Sequence, residues 1–244
     1  MFAKINFHDE FYQKLKLLVL PITMQQFMLA LVSATDAIML GAISQTSLSA
    51  VSLAGQIQFV LNLFISGISA GSGIMAAQYW GKKDAASIEE VMPIALRTNF
   101  IFSGAFTVFA VVAPDVLMRI FTSDPALIES GAVYLRAVSL SYLLCGISQI
   151  YLILLKNTGY ATVSSRISCT AVVVNIICNA ILIYGLLGLP ALGIQGAAYA
   201  TVVARLVELI WSYLETKQSG RVQIIWKKMF RAADAVLTKD FWRY

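Results

Sequence analysis

An all-α membrane protein of six transmembrane helices is the fold class this sequence predicts, and three observations carry it. Hydrophobic residues make up 59% of the 244-residue chain and charged residues only 13%, against about 25% charged in a soluble domain. The apolar residues gather into six segments, each near the roughly 20 residues needed to cross a bilayer as a helix. The basic residues sit at the edges of those segments and crowd onto alternate connections, the pattern that membrane insertion imposes.

The spans are expected at Leu15 to Leu40, Leu53 to Tyr79, Ile94 to Ala113, Ala132 to Leu155, Ile167 to Leu187 and Ile194 to Leu214. Helices are required over strands, because each segment far exceeds the roughly ten alternating residues of a barrel strand. A lone span must also satisfy its own backbone hydrogen bonds. The first span follows a polar Met1 to Gln13 and runs on to spanning length, so a retained helix is expected there, with no cleavable signal. Pro21 removes a backbone donor near its start and permits a kink. The second holds Ser66, Gly67, Ser69, Ala70, Gly71, Ser72 and Gly73, with a Gly67 to Gly71 spacing that lets helix backbones approach. The sixth opens on the small-residue run Gly196, Ala197, Ala198, Tyr199, Ala200, Thr201 and later carries Arg205 and Glu208, three apart and able to pair.

Orientation follows from charge. Lys4, Lys14, Lys16, Lys82, Lys83, Arg97, Lys156, Arg166, Lys217, Arg221, Lys227, Lys228, Arg231, Lys239 and Arg243, fifteen of the eighteen basic residues, fall on one side. The other side has Arg119 and Arg136, and Arg205 lies within the last span. Both termini and the loops at Lys82 and Lys156 are therefore expected in the cytoplasm. Residues 41–52, 114–131 and 188–193 are expected outside, for a multi-pass protein of the plasma (inner) membrane. Residues 1–215 form the six-helix lobe, and 216–244 read as a cytoplasmic basic and aromatic linker leading to a second lobe. The mixture Trp226, Lys227, Lys228, Met229, Phe230, Arg231 suits either a helix lying on the anionic inner leaflet or a solvated linker. The chain stops at Asp240 to Tyr244 without a turn or cap signal.

Several classes are excluded by the same residues. The net charge of +5 sits at span edges and forms no basic stripe with interleaved aromatics, so the partner is the lipid bilayer and not nucleic acid. Cys145, Cys169 and Cys178 lie inside apolar segments without zinc-ligand spacing and read as small hydrophobes. His8 is the one histidine, and the chain has no HExxH, GxSxG or P-loop, so neither an enzyme nor an ATP-driven machine is expected, and no cofactor. Energy must come from an ion gradient.

Asp36 is the leading functional candidate. A carboxylate inside a span costs about 2.5 to 3.5 kcal/mol on insertion scales and survives where it faces protein or water. Gln25, Gln26, Ser33 and Thr35 share its helix; the alternative is that Asp36 simply reaches interfacial water. Asn175 and Asn179, four apart, point from one face of the fifth helix. They can offer carbonyl oxygens to a hard cation or hydrogen bonds to a carboxylate, or act as interhelical glue. Thr201 adds one more oxygen.

These motifs resemble those of the multidrug and toxic compound extrusion (MATE) transporters. Leu20, Pro21, Ile22 and then Thr35, Asp36, Ala37, Ile38, Met39, Leu40, Gly41 resemble that family's first helix, and Leu48 to Ser52 the opening of its second. Gln78, Gly81 and Asp84 match its Q-x-x-G-x-x-D signature. Lys156 to Gly159 sit where it carries its fourth-to-fifth loop. Asn175 to Asn179 with Ile183, Tyr184 and Gly185 resemble its fifth helix, and Leu192 to Thr201 the G-x-x-G-A-A-x-A-T start of its sixth. The resemblance covers the whole chain in order. It implies one lobe of a two-lobe antiporter that exports organic cations and drugs in exchange for sodium ions or protons. Asp36, Asn175, Asn179 and Thr201 would be its ion-linked cluster, the one place where sodium could be held. Many members have aspartate at the position of Asn179, so the cluster here has one carboxylate. Gln25, Met28, Phe64 and Tyr142 are the expected substrate-cavity residues, and the expected partner is a second six-helix lobe or a second copy. The alternatives are a lipid-linked oligosaccharide flippase of the same superfamily, whose diphosphate would favour a cavity rich in Arg or Lys, and a membrane partner subunit with no transport of its own.

Overall fold

The computed structural model describes residues 10–229 together with Phe241. Its elements are α1 (Glu10–Gly41), α2 (Gln45–Gly81), α3 (Ala85–Val112), α4 (Pro114–Arg119), α5 (Pro125–Asn157), α6 (Ala161–Tyr184), a single 3-10 turn (Leu186–Gly188), α7 (Ile194–Thr216) and α8 (Trp226–Met229). Among the described residues there is no strand. Six helices, all but α4 and α8, are long and apolar enough to cross a membrane. They are the six that hydropathy predicts, in the same order.

All the spanning helices but α7 begin earlier than their apolar stretches do. α2 starts eight residues before Leu53 because the Ser44 hydroxyl accepts from the Ser47 amide at 3.0 Å. α3 starts nine residues before Ile94, where Asp84 accepts from the Ser87 amide at 3.1 Å and the Ser87 hydroxyl at 2.6 Å. Those two bonds hold the Asp84 carboxyl below the usual carboxylate range. Asp124 caps α5 at the Ala126 amide, with Pro125 at the first helical position. Such polar caps satisfy the orphan amides of a helix start, and hydropathy alone does not register them. α4 is a short helix not expected in residues 114–131, and it forms without a side-chain cap. Pro114 opens it, Asp115 lies in its first turn and Arg119 in its last, each charge matching the helix dipole.

At the far end of α6 the helix stops at Tyr184, three residues before the expected Leu187. Gly185 adopts φ +70°, and a Cβ there would lie 2.6 Å from the Ala191 amide nitrogen. Only glycine allows the chain to turn so tightly over itself.

α5 is the central helix, packed against α2, α3, α4, α6 and α7. Its buried residues include Tyr134, Leu135, Val138, Tyr142, Ile150, Tyr151 and Leu154. α1 lies at the edge and packs on α6 and α2. Large apolar side chains face outward on α1 (Phe27, Leu31, Ile38), α2 (Phe59, Leu63), α3 (Ile101, Phe109) and α7 (Val203, Leu206, Ile210), as expected where lipid or a further membrane body is the solvent.

Two close approaches set the geometry. A Cβ on Gly196 would lie 2.6 Å from the Leu182 carbonyl, so the backbones of α7 and α6 are in contact there. On α2, the expected Gly67 to Gly71 spacing is split, since Gly67 looks onto open space while Gly71 is buried. The close contact comes at Gly73, where a Cβ would meet Asn157 Nδ2 at 2.9 Å and Ile153 Cγ1 at 3.0 Å on α5. Spacing identifies a face that can pack, and the position of the neighbouring helix decides whether it does.

The segment after α7 is anchored to the lobe over its described residues. Val222, Ile224, Met229 and Phe241 join a core with Met92, Ile150 and Tyr151. Trp226 Nε1 donates to Tyr151 Oη at 2.6 Å, Lys228 pairs with Glu90, and the Arg221 guanidinium lies 4.3 Å over the Tyr160 ring. These described residues pack on the lobe, while Phe230 and Arg231 of the basic and aromatic run lie outside the described residues. Val222 and Ile224, spaced two apart in a stretch without regular secondary structure, pack into the same apolar cluster.

Candidate ion-linked polar site

Asp36 on α1, Asn175 and Asn179 on α6 and Thr201 on α7 meet in one hydrogen-bonded chain. Asn179 Nδ2 donates to Asp36 Oδ1 at 2.5 Å and to Asn175 Oδ1 at 3.2 Å. Asn175 Nδ2 donates to Thr201 Oγ1 at 3.4 Å, and Thr201 Oγ1 donates to the Ala197 carbonyl at 3.0 Å. The local sequence makes this possible. The i, i+4 spacing stacks the two amides on one face of α6, and the Gly196 contact with Leu182 brings α7 near enough for Thr201 to reach Asn175. Tyr184 Oη donates to the Met39 carbonyl at 3.2 Å, joining α6 to α1 beyond the cluster.

Asn179 is fully buried and Asn175 is 5% exposed, while Asp36 and Thr201 are half-buried. Asn179 Oδ1 is buried without a hydrogen-bond partner. An unsatisfied amide oxygen costs about 1 to 3 kcal/mol in a dry interior. Together the site presents the Asp36 carboxylate, two amide oxygens and one hydroxyl, all hard oxygen donors suited to an alkali cation. A proton on Asp36 would compete with a cation for the same oxygens.

The four residues proposed for a substrate cavity are not brought together. Gln25 is buried three turns along α1 from Asp36, with Nε2 donating to Ser168 Oγ at 2.8 Å. Met28 is half-buried on the same helix. Phe64 is exposed on α2 and stacks on Phe102 of α3, with ring centroids 5.2 Å apart. Tyr142 is 1% exposed in the core around α5, a wall of the interior and not of an open cavity. Its place on the central helix, invisible to composition, is the reason.

A second polar assembly lies further along the same three helices. Arg205 Nη1 donates to Glu208 Oε2 at 2.8 Å. Ser148 Oγ of α5 donates to the same oxygen and Ser168 Oγ of α6 to Oε1, both at 3.2 Å. Glu208 is 2% exposed. Sequence reasoning paired Arg205 with Glu208 and found no role for them. The missed signal was register: Thr201, Arg205 and Glu208 stand at i, i+4 and i+7 on α7, Ser168 stands seven residues before Asn175, and Gln25 eleven before Asp36. On each of the three helices the polar positions fall on one face, separated on α1 and α6 by apolar residues such as Leu29, Val32, Ala171 and Val172.

Six spanning helices, one of them central, with a buried oxygen-rich cluster, define an α-helical membrane transporter lobe. The family model MatE matches residues 21–181, and the chain belongs to that family of transporters. Among its relatives, the uncharacterized transporter YisQ of Bacillus subtilis is 26% identical over 195 residues, covering 80% of this chain and 43% of YisQ. The multidrug resistance protein NorM of Burkholderia vietnamiensis is 29% identical over 193 residues, covering 76% of this chain and 40% of NorM. The chain thus spans about half the length of the relatives it matches. Among solved structures, a MOP superfamily transporter from Pyrococcus furiosus superposes with a TM-score of 0.81 at 22% identity, over 93% of this chain and 49% of that one. An outward-facing multidrug resistance MATE transporter gives the same score at 21% identity. The fold is therefore that of half a MATE transporter.

Proposed function

We propose that this chain is one lobe of a secondary exporter of organic cations or drugs, coupled to sodium or proton antiport through Asp36. The observation that carries the reading is the buried chain from Asp36 through Asn179 and Asn175 to Thr201, with a spare amide oxygen. Relatives that bear the name multidrug resistance protein support the substrate class. The flippase alternative needs free cations for a diphosphate, and the Arg205 charge is already neutralised by Glu208.

In this reading a membrane-embedded partner, a second six-helix lobe or a second copy, closes the substrate path, and the outward apolar faces on α1, α2 and α7 are compatible with such a partner or with lipid. Transport sites in repeat-built carriers lie between two halves that rock against each other. Cells expressing residues 1–244 with a second six-helix half should export a fluorescent organic cation. The chain alone should insert without conferring efflux unless it dimerises. Robust efflux by a demonstrated monomer would contradict the one-lobe reading.

The proposed setting is the plasma membrane, with both termini cytoplasmic. Single cysteines placed in a background lacking Cys145, Cys169 and Cys178 test it. Thr46, exposed at the start of α2, is the outer probe position there, since the neighbouring Ser47 is buried against Ser44. Cysteines at Thr46 and Ser123 should react with an impermeant thiol reagent in intact cells, and one at Ala85 should not. Labelling at Ala85 would reverse the orientation.

A further inference from the structure

The Glu208 assembly has the same donor chemistry as the Asp36 cluster. At Asp36 there are one carboxylate, two amide groups and one hydroxyl; at Glu208 there are one carboxylate, two hydroxyls and one amide. The difference is that a guanidinium lies against the second carboxylate. Glu208 Oε2 takes hydrogen bonds from Arg205 and Ser148, and Oε1 takes one from Ser168. Ser168 Oγ in turn accepts from Gln25 Nε2.

Gln25 is 6% exposed, and its Oε1 is buried without a hydrogen-bond partner. That oxygen belongs to the amide whose Nε2 lies 2.8 Å from Ser168 Oγ, the hydroxyl that donates to Glu208. A purely structural ion pair would have no use for it. As a ligand it completes a set of carboxylate, hydroxyl and amide oxygens drawn from α1, α5, α6 and α7, the kind of set that surrounds a hard cation.

The two members of the pair are unequally held. The Glu208 side chain is 2% exposed and bonded to three partners, whereas that of Arg205 is 20% exposed. Arg205 is long enough to turn its head outward while keeping its stem in place. Glu208 cannot follow, and an unpaired buried carboxylate costs several kcal/mol. Removal of the guanidinium therefore leaves Glu208 to take up another positive charge at the same oxygens, a proton or a metal cation, and the surrounding hydroxyl and amide oxygens favour the cation.

We propose that Glu208, Ser148, Ser168 and Gln25 form a second monovalent-cation site of the lobe, for which Arg205 is a tethered, exchangeable occupant. The site lies on the same helix faces as the Asp36 cluster, seven residues along α7 from Thr201, a rise of about 10 Å. It stands independently of whether Asp36 itself binds an ion.

The test is equilibrium binding of radioactive sodium to the purified chain in lipid nanodiscs, with choline as the replacement cation. Asp36→Asn is present throughout, so a failure of the Asp36 reading does not touch the outcome. Asp36→Asn with Arg205→Gln should bind one sodium ion per chain. Adding Glu208→Gln, which leaves two neutral amides in place of the pair, should abolish that binding. Arg205→Lys in place of Arg205→Gln keeps a competing charge and should raise the sodium needed for half-saturation by about tenfold. If Arg205→Gln fails to fold, the Arg205→Lys chain carries the comparison, its binding lost when Ser148 and Ser168 are both changed to Ala. A folded Asp36→Asn, Arg205→Gln chain that binds no sodium overturns the proposal, and so does binding that survives Glu208→Gln.

Discussion

Glu208→Gln alone should destabilise the lobe by about 3 kcal/mol, whereas the double change Arg205→Gln, Glu208→Gln should cost about 1 kcal/mol or less. Breaking one side of a buried ion pair leaves the other charge uncompensated, typically a loss of about 3 to 5 kcal/mol, while replacing both partners is often nearly neutral. The low end applies here because the Arg205 side chain, 20% exposed, can turn outward. Glu208 also accepts from serines on two other helices, so its loss frees Ser148 and Ser168 as well. Thermal unfolding in detergent, followed by intrinsic fluorescence, reads both variants. A single variant as stable as wild type would show that the pair is not a fastening of α5, α6 and α7.

Asn179→Asp should tighten sodium binding by about tenfold, since ligand charge count tunes affinity at oxygen sites. The new carboxylate would stand where Asn179 now donates to Asp36 and carries an unpartnered oxygen. Without a cation the two acids would repel, and one would hold a proton, so binding should also become more strongly pH-dependent. Sodium titrations at two pH values check both effects. Unchanged affinity would remove position 179 from the site.

Much of this architecture was legible in the sequence because lipid imposes simple rules. Spans must be long and apolar, so α1 to α3 and α5 to α7 could be placed by composition. Asp36, Asn175, Asn179 and Thr201 stood out because polar groups inside apolar helices need partners, and the structure joins all four. What was not legible depended on helix neighbours. Tyr142 looks like any tyrosine in a span until α5 is known to be central. Gly67 belongs to a recognisable spacing, but α5 approaches one turn and a half later, at Gly73. Glu208 looked like half of a local i, i+3 pair, while two of its three partners come from α5 and α6, 60 and 40 residues away in sequence. Val222 and Ile224 sit in a short stretch without regular secondary structure, with no helical period to betray which way they face.

The central claim, that the Asp36 carboxylate couples an ion to export, is tested most directly by efflux from proteoliposomes holding both lobes. Wild type and Asp36→Asn are compared under an imposed sodium gradient and, separately, an imposed proton gradient. Asn in place of Asp36 keeps the shape and a hydrogen bond to Asn179 but removes the negative charge that a sodium ion or proton must meet. The account predicts that Asp36→Asn still inserts and binds substrate yet loses the gradient-driven component of efflux under both conditions. Gradient-driven efflux by Asp36→Asn at the wild-type rate would contradict it.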